Sequence, residues 1–215
     1  IHICFMKVLH VSGASSWGGN EQQFKILIDE LGRYEVEQYV MCYKGSPIEK
    51  KVTDKNVIII SVPNIKPKTK AYQRLLQKTI NNYSIDLLHL HTSNVVTGYV
   101  LADIYFKLNV KTVFSKKWIG TSVCFLSKLK YNYKNIHKVL CVSKVVSDYF
   151  KTILYKKNHD KLCVVYDGVD VLEKTENSLY IVKEDLNIGK DVKVIGNIAN
   201  HTKAKDLKTL IRTLN

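Results

Sequence analysis

Seven short apolar runs alternate with longer stretches whose apolar residues recur at three- and four-residue spacing, from one end of the chain almost to the other. The runs lie at Lys7–Val11, Gln38–Tyr43, Val57–Val62, Leu87–His91, Lys111–Ser115, Lys138–Val142 and Leu162–Val165. Helical periodicity falls between them, at Glu21–Leu31, Tyr72–Tyr83, Val96–Leu108, Val123–Tyr133 and Val145–Leu154. Strands this short and this uniformly apolar must be covered on both faces. The order therefore predicts an α/β fold, a parallel sheet flanked by helices and joined by right-handed crossovers. In such sheets a ligand crevice lies beyond the carboxyl ends of the strands, which singles out the loops at residues 12–20, 91–94 and 115–120.

The first of these loops carries the most pointed local signal, HVSGASSWGGNEQQF at residues 10 to 24. Asn20 is placed to cap a helix with Gln23 as its capping-box partner, and Phe24, Leu27, Ile28 and Leu31 form one apolar stripe. Gly18 and Gly19 ahead of it can take positive φ and leave backbone N–H groups uncovered, so an anion can approach the positive end of the helix. A plain turn is the competing reading of that glycine pair. Neither G-x-G-x-x-G nor G-x-x-x-x-G-K is present, so a dinucleotide fingerprint and a P-loop are both absent.

Charge narrows the partners. The 215 residues hold 33 Lys and Arg against 19 Asp and Glu, a net charge of +14, which favours phosphorylated small molecules or an anionic membrane surface. The lysines are dispersed and no nucleic-acid-binding pattern occurs, so nucleic acid is not an expected partner. No apolar run approaches the length needed to span a bilayer. IHICF ahead of Met6 is too short for a signal peptide, and Met6 reads as the natural start. The five cysteines, Cys4, Cys42, Cys124, Cys141 and Cys163, are odd in number and lack C-x-x-C spacing; with no paired histidine ligands either, no metal is expected and the thiols fit a reducing cytosol.

A change of unit follows Val165. YDGVD (residues 166 to 170) reads as a turn and EKTEN (173 to 177) as polar linker. VKVIGNIA (192 to 199) is an expected strand, followed by a helix striped with Leu207, Leu210, Ile211 and Leu214. The expected division is a domain over 1–172, a linker and connecting helix over 173–190, and one strand and helix of a truncated second domain over 191–215.

Among polar residues, His91 stands at the carboxyl tip of the fourth strand, where an imidazole can meet a sugar hydroxyl or a phosphate oxygen. His89 faces the same side further down and reads as a hydrogen-bonded core histidine. Ser143 reads as a helix N-cap. Lys116 and Lys117 lie past the fifth strand, within reach of an anionic acceptor, and Lys203 opens the last helix, where a cation can neutralise a leaving diphosphate.

Together these segments resemble retaining glycosyltransferases of family 4. MKVLHVSGASSWGGNEQQFKILIDEL resembles the opening of that family, DLLHLHTSN its strand ending in an active-site histidine, and VLCVSKVVSDYF its Val-Ser-Lys segment. VVYDGVD resembles its Asn-Gly-Val-Asp segment, and VIGNIANHTKAKDLKTLI the strand and Lys-Gly helix that open its second domain. The resemblance implies the GT-B fold, here a Rossmann-like acceptor-side domain with a truncated second Rossmann-like unit. It implies transfer of a sugar from a sugar nucleotide, with retention and generally without a metal or other cofactor, to a glycan or lipid-phosphate acceptor. It places Gly18 and Gly19 beside the donor diphosphate and acceptor, His91 near the transferred sugar, and Lys203 on the diphosphate; Asn20, Ser143 and Lys116 join them as candidate substrate-binding residues. Surface polysaccharide or glycolipid synthesis, at the cytoplasmic side and peripheral to the membrane, is the expected setting.

Departures from the family pattern set further expectations. Asp167 stands for the usual Asn and Ala204 for the Gly after the lysine, the accompanying arginine is not evident, and the paired glutamates of the family would fall beyond Asn215. The chain alone is therefore expected to be weakly active or inactive. The alternatives are a non-catalytic acceptor-binding module working with a partner subunit, and a GT-B sugar-nucleotide epimerase.

Overall fold

Residues 5–120, 124–169, 182–199 and 205–213 are described by a computed structural model. The seven strands are β1 (Met6–Val11), β2 (Val36–Tyr43), β3 (Val57–Val62), β4 (Leu87–Leu90), β5 (Lys111–Lys116), β6 (Lys138–Cys141) and β7 (Leu162–Val164). All pair in parallel, in the order β3-β2-β1-β4-β5-β6-β7. The order reverses between β1 and β4, the point at which an open α/β sheet leaves a crevice at its carboxyl edge.

The helices are α1 (Gly19–Leu31), α2 (Pro47–Lys51), α3 (Lys70–Tyr83), α4 (Ser93–Phe106), α5 (Phe125–Tyr131), α6 (Lys144–Lys151), α7 (Val182–Asp185) and α8 (Leu207–Arg212), with a 3-10 turn at Lys156–Lys161. α2 and the turn went unread in the sequence because each is too short to show a period. α2 is instead set by its ends: the Ser46 hydroxyl accepts from Glu49 N–H and Pro47 opens the helix.

Strand alternation divides the core in two. Leu9, Val11, Tyr39, Met41, Leu88, Leu90 and Phe114 face α3 to α6, in the larger cluster. Val40 and Cys42 face the other way and pack with Phe24 and Ile28 of α1 and Ile48 of α2. On this second face the register places His10 beside His89, so imidazoles occupy positions that the rest of the face fills with apolar side chains.

The chain divides into two compact units, Ile1–Val169 and Asp170–Asn215. In the second, the expected strand at 192–199 is not formed: these residues are irregular, and Ile195 and Ile198 are exposed. A strand exists through its ladder, and no neighbouring strand pairs with it among the described residues. α8 likewise buries no side chain. Among the described residues, no helix is long and apolar enough to cross a membrane.

At the C-terminal end of α4, Asp103 is buried and ties three segments together. Its carboxylate accepts from Leu108 N–H at 2.9 Å, from the Tyr133 hydroxyl at 2.6 Å and from Asn135 Nδ2 at 2.6 Å. Asp103→Ala is expected to lower stability by about 3 kcal/mol, because all three donors lose their acceptor; the urea midpoint measures it.

Candidate active site

Beside the end of β4, on the α1 side of the sheet, a cavity of about 260 Å³ is lined by Gln23, Phe24, His89, His91, Ser115 and Lys117, with Asp167 and Gly168 closing one wall. Strand parity selects this set. Ser115 and Lys117 project to the α1 side, whereas Phe114 and Lys116 project to the opposite one.

That parity corrects the reading of Lys116. β5 runs one residue further than expected, through pairing of Lys116 with Cys141. Lys116 is thus a buried strand residue whose ammonium lies 5.4 Å from the ring centres of Trp118 and Phe150, and burial lowers its pKa. It does not line the cavity. Lys117 does, and its ammonium is ion-paired with the Asp167 carboxylate rather than free for an acceptor.

Three imidazoles meet at the base. His10 is fully buried, His89 nearly so, and His91 is half-buried. The His10 Nδ1 and His91 Nε2 atoms are 3.2 Å apart, and His89 Nε2 is 2.8 Å from Ser115 Oγ. The His89 and His91 rings lie 3.9 Å apart, and the Phe24 ring stands edge-on to His91 at 4.5 Å. Burial is the main force on all three, lowering His10 from its ordinary 6.5 to about 4 and holding His89 and His91 well below the usual range, with their mutual repulsion and Lys117 adding to the effect on the latter two. The imidazoles are therefore neutral near pH 7. One nitrogen from each lies within 4.8 Å of the others, the one such group among the described residues that could hold a metal; His10 and His91 are already in hydrogen-bond contact with each other, and His89 with Ser115.

The glycine pair is explained differently from expectation. Gly18 has φ −159° and ψ −167°, extended backbone with no need of positive φ, and a side chain on Gly19 would meet nothing within 4 Å. What the pair supplies is bare backbone at the start of α1. The helix opens two residues earlier than expected, so Gly18 and not Asn20 is the N-cap and no side chain caps it. Gln23 is not a capping partner either; its Nε2 donates to the Gly168 carbonyl at 2.8 Å, joining α1 to the turn after β7. Gly18, Gly19 and Asn20 line neither this cavity nor the second one, while the helix they open supplies Gln23 and Phe24. Ser143 caps α6, its hydroxyl accepting from Val146 N–H at 3.2 Å. Lys203 lies outside the described residues.

A second cavity, about 450 Å³, opens at the same carboxyl edge and is lined by Gly13, Ser15, Asn64, Lys66, Lys68 and Asn94. Gly13 allows the loops after β1 and β4 to meet here: a Cβ would fall 2.7 Å from the Asn94 side chain, and Gly13 N–H donates to Thr92 Oγ1 at 3.1 Å. Lys66 and Lys68 are in no ion pair among the described residues. His10, Gln38 and Gly13 were not singled out from the sequence. The signal for His10 was its parity, since it sits on the same face as His89 once β1 is paired with β4.

The family model for Glycosyltransferase Family 4 matches residues 17–172. The chain belongs to glycosyltransferase family 4. Among solved structures, this family-4 chain is similar to a glycosyltransferase from Rickettsia africae ESF-5, with TM-score 0.65 and 20% identity over 87% of this chain and 51% of that one. It is also similar to Anabaena Alr3699/HepE, solved with UDP and with UDP and glucose, with TM-score 0.61 and 16% identity over 77% of this chain and 45% of that one. The family-4 chain thus spans about half the length of these structures and shares the fold of GT-B glycosyltransferases. Comparison with curated protein sequences gave no match.

The neutral imidazoles make folding of the family-4 chain sensitive to acid. Below about 6.5 an unfolded histidine takes up a proton that native His10 refuses until about pH 4. The unfolded state then binds more protons, so stability falls as pH drops through this window, by up to about 1.4 kcal/mol per pH unit for each such histidine. Urea midpoints measured across the window are expected to fall steeply in the native chain and less steeply in His10→Asn.

Proposed function

We propose that this chain is the acceptor-side part of a glycosyltransferase that moves a sugar from a sugar nucleotide to a glycan or lipid-linked acceptor with retention, in synthesis of a surface polysaccharide or glycolipid. The family match over 17–172 carries the reading, and the neutral-histidine cavity at the carboxyl edge of the sheet supports it. The Anabaena neighbour holds UDP and glucose, which favours a nucleotide-sugar donor.

In this reading the bond between the sugar's C1 and the diphosphate oxygen breaks, the acceptor oxygen bonds to C1 on the same face, and the acceptor's proton passes to the departing phosphate. Bare backbone at Gly18 and Gly19, at the positive end of α1, faces the diphosphate. Lys203 is the candidate cation for the departing diphosphate, no metal is needed, and His91 positions the transferred sugar. The second cavity receives the acceptor, where Lys66 and Lys68 suit a phosphate-bearing lipid.

Incubation of the chain with sugar nucleotides and a lipid-phosphate acceptor, with the product's anomeric configuration read by NMR, tests this. A slowly formed product of unchanged configuration, in keeping with weak activity of the chain alone, and lost in His91→Ala, is expected. Donor epimerisation or hydrolysis without transfer would overturn it.

Residence at the cytoplasmic membrane surface belongs to the same proposal. Between Asp103 and Asp148 the sequence has nine lysines and no acidic residue, and Trp118, Phe125 and Leu126 are exposed within that stretch. Apolar side chains among lysines suit an anionic bilayer, each lysine near the surface contributing about 1 kcal/mol. The chain is expected to float with phosphatidylglycerol vesicles at low salt, and to stay behind with phosphatidylcholine or at high salt; flotation without preference for anionic lipid would remove the membrane part.

A further inference from the structure

Behind His91 lies a chain of hydrogen-bonding groups whose direction is set at its far end. Gln38, buried on β2, has Nε2 2.9 Å from the Ile28 carbonyl of α1. A carbonyl only accepts, so the NH₂ side of the amide must face it and Oε1 must face away. Two buried atoms in this cluster lack a geometric partner, Gln38 Oε1 and His10 Nε2. One can only accept, the other can donate, and the register, with Val8 opposite Gln38 and His10 opposite Val40, sets Gln38 diagonally across from His10 on the same face of the sheet. The assignment that lets these two buried atoms satisfy each other puts the single proton of His10 on Nε2.

The consequence propagates. Neutral His10 has a bare Nδ1, which can only accept, and its neighbour at 3.2 Å is His91 Nε2. His91 must donate there, so its own proton is also on Nε2 and its Nδ1 is bare. His91 lines the cavity, and Nδ1 is the nitrogen left for it.

We propose that the Ile28 carbonyl, Gln38 and His10 form a one-way relay that locks His91 in its Nε2–H tautomer and presents a bare Nδ1 to the cavity as an acceptor for a ligand hydroxyl. Gln38 and His10 are thus positioning residues. The ligand recognised at this point is a hydroxyl donor such as a sugar, whereas an anionic oxygen is repelled by the nitrogen lone pair. The tautomer stands on the structure alone, and its role toward a hydroxyl rests on the function proposed above.

NMR of the chain with ¹⁵N-labelled histidine, at neutral pH and without ligand, reads both protons directly. Expected are N–H signals on Nε2 of His10 and of His91, each with an unprotonated Nδ1. Gln38→Met removes the anchor, and His91 is expected to populate both tautomers. Gln38→Glu places a carboxylate against His10 and favours its doubly protonated form, whose Nδ1–H donates to His91 Nε2; the His91 proton is then expected to move to Nδ1.

A proton on Nδ1 of either histidine in the native chain overturns the relay, and this spectrum needs neither variant to fold. Addition of Zn²⁺ that replaces both N–H signals with metal-bound shifts overturns it too, making the trio a ligand set instead. With UDP-glucose as probe, a change in the His91 Nδ1 shift with the tautomer retained supports the hydroxyl contact. A retained tautomer with no response overturns that contact and counts against the proposed function, not against the relay.

Discussion

The parallel pairing of β1 with β4 is the contact on which the rest of the site depends. Its register sets Val8 against Leu87, His10 against His89 and Val11 against Leu90, and His91 N–H continues the ladder by donating to the Val11 carbonyl at 3.0 Å. A slip of one residue would send every side chain of a strand to the opposite face. His10 would then point into the apolar cluster under α4, and no imidazole would back His91. The same pairing is where the strand order reverses, so the crevice and the histidines coincide for one topological reason.

Placing polar groups on a face that elsewhere buries Val40, Cys42 and Phe24 has a cost in desolvation. The fold offsets it by keeping the imidazoles neutral and giving them hydrogen-bond partners, Ser115 for His89 and His10 for His91. Lys117 and Asp167 complete the wall as a neutralised pair. The site thus carries little net charge of its own at this point. The positive charge of the chain lies elsewhere, around the second cavity and along the lysine-rich stretch that includes α5.

Much of this was legible in the residues. All seven strands fall within two residues of the apolar runs, because strands buried on both faces leave an unbroken hydrophobic signature. His91 at a strand tip and Ser143 as a cap followed from local spacing. The readings that failed were those that needed a neighbour. Lys116 looked like exposed loop because its pairing with Cys141 cannot be seen along the chain. Asn20 looked like a cap, yet the helix began at the glycine before it. The run at 192–199 had the composition of a strand and no partner to pair with among the described residues.

What the sequence determined by itself was the layered parallel sheet, the helices that cover it, and the loops at its carboxyl edge, since periodicity and burial are properties of consecutive residues. Which histidines meet, and which lysine is buried and which is paired, were decided only by the tertiary structure. His10, Gln38 and His91 lie on three different strands or their tips, and only strand register gathers them on one face and brings the His10 and His91 nitrogens within bonding distance.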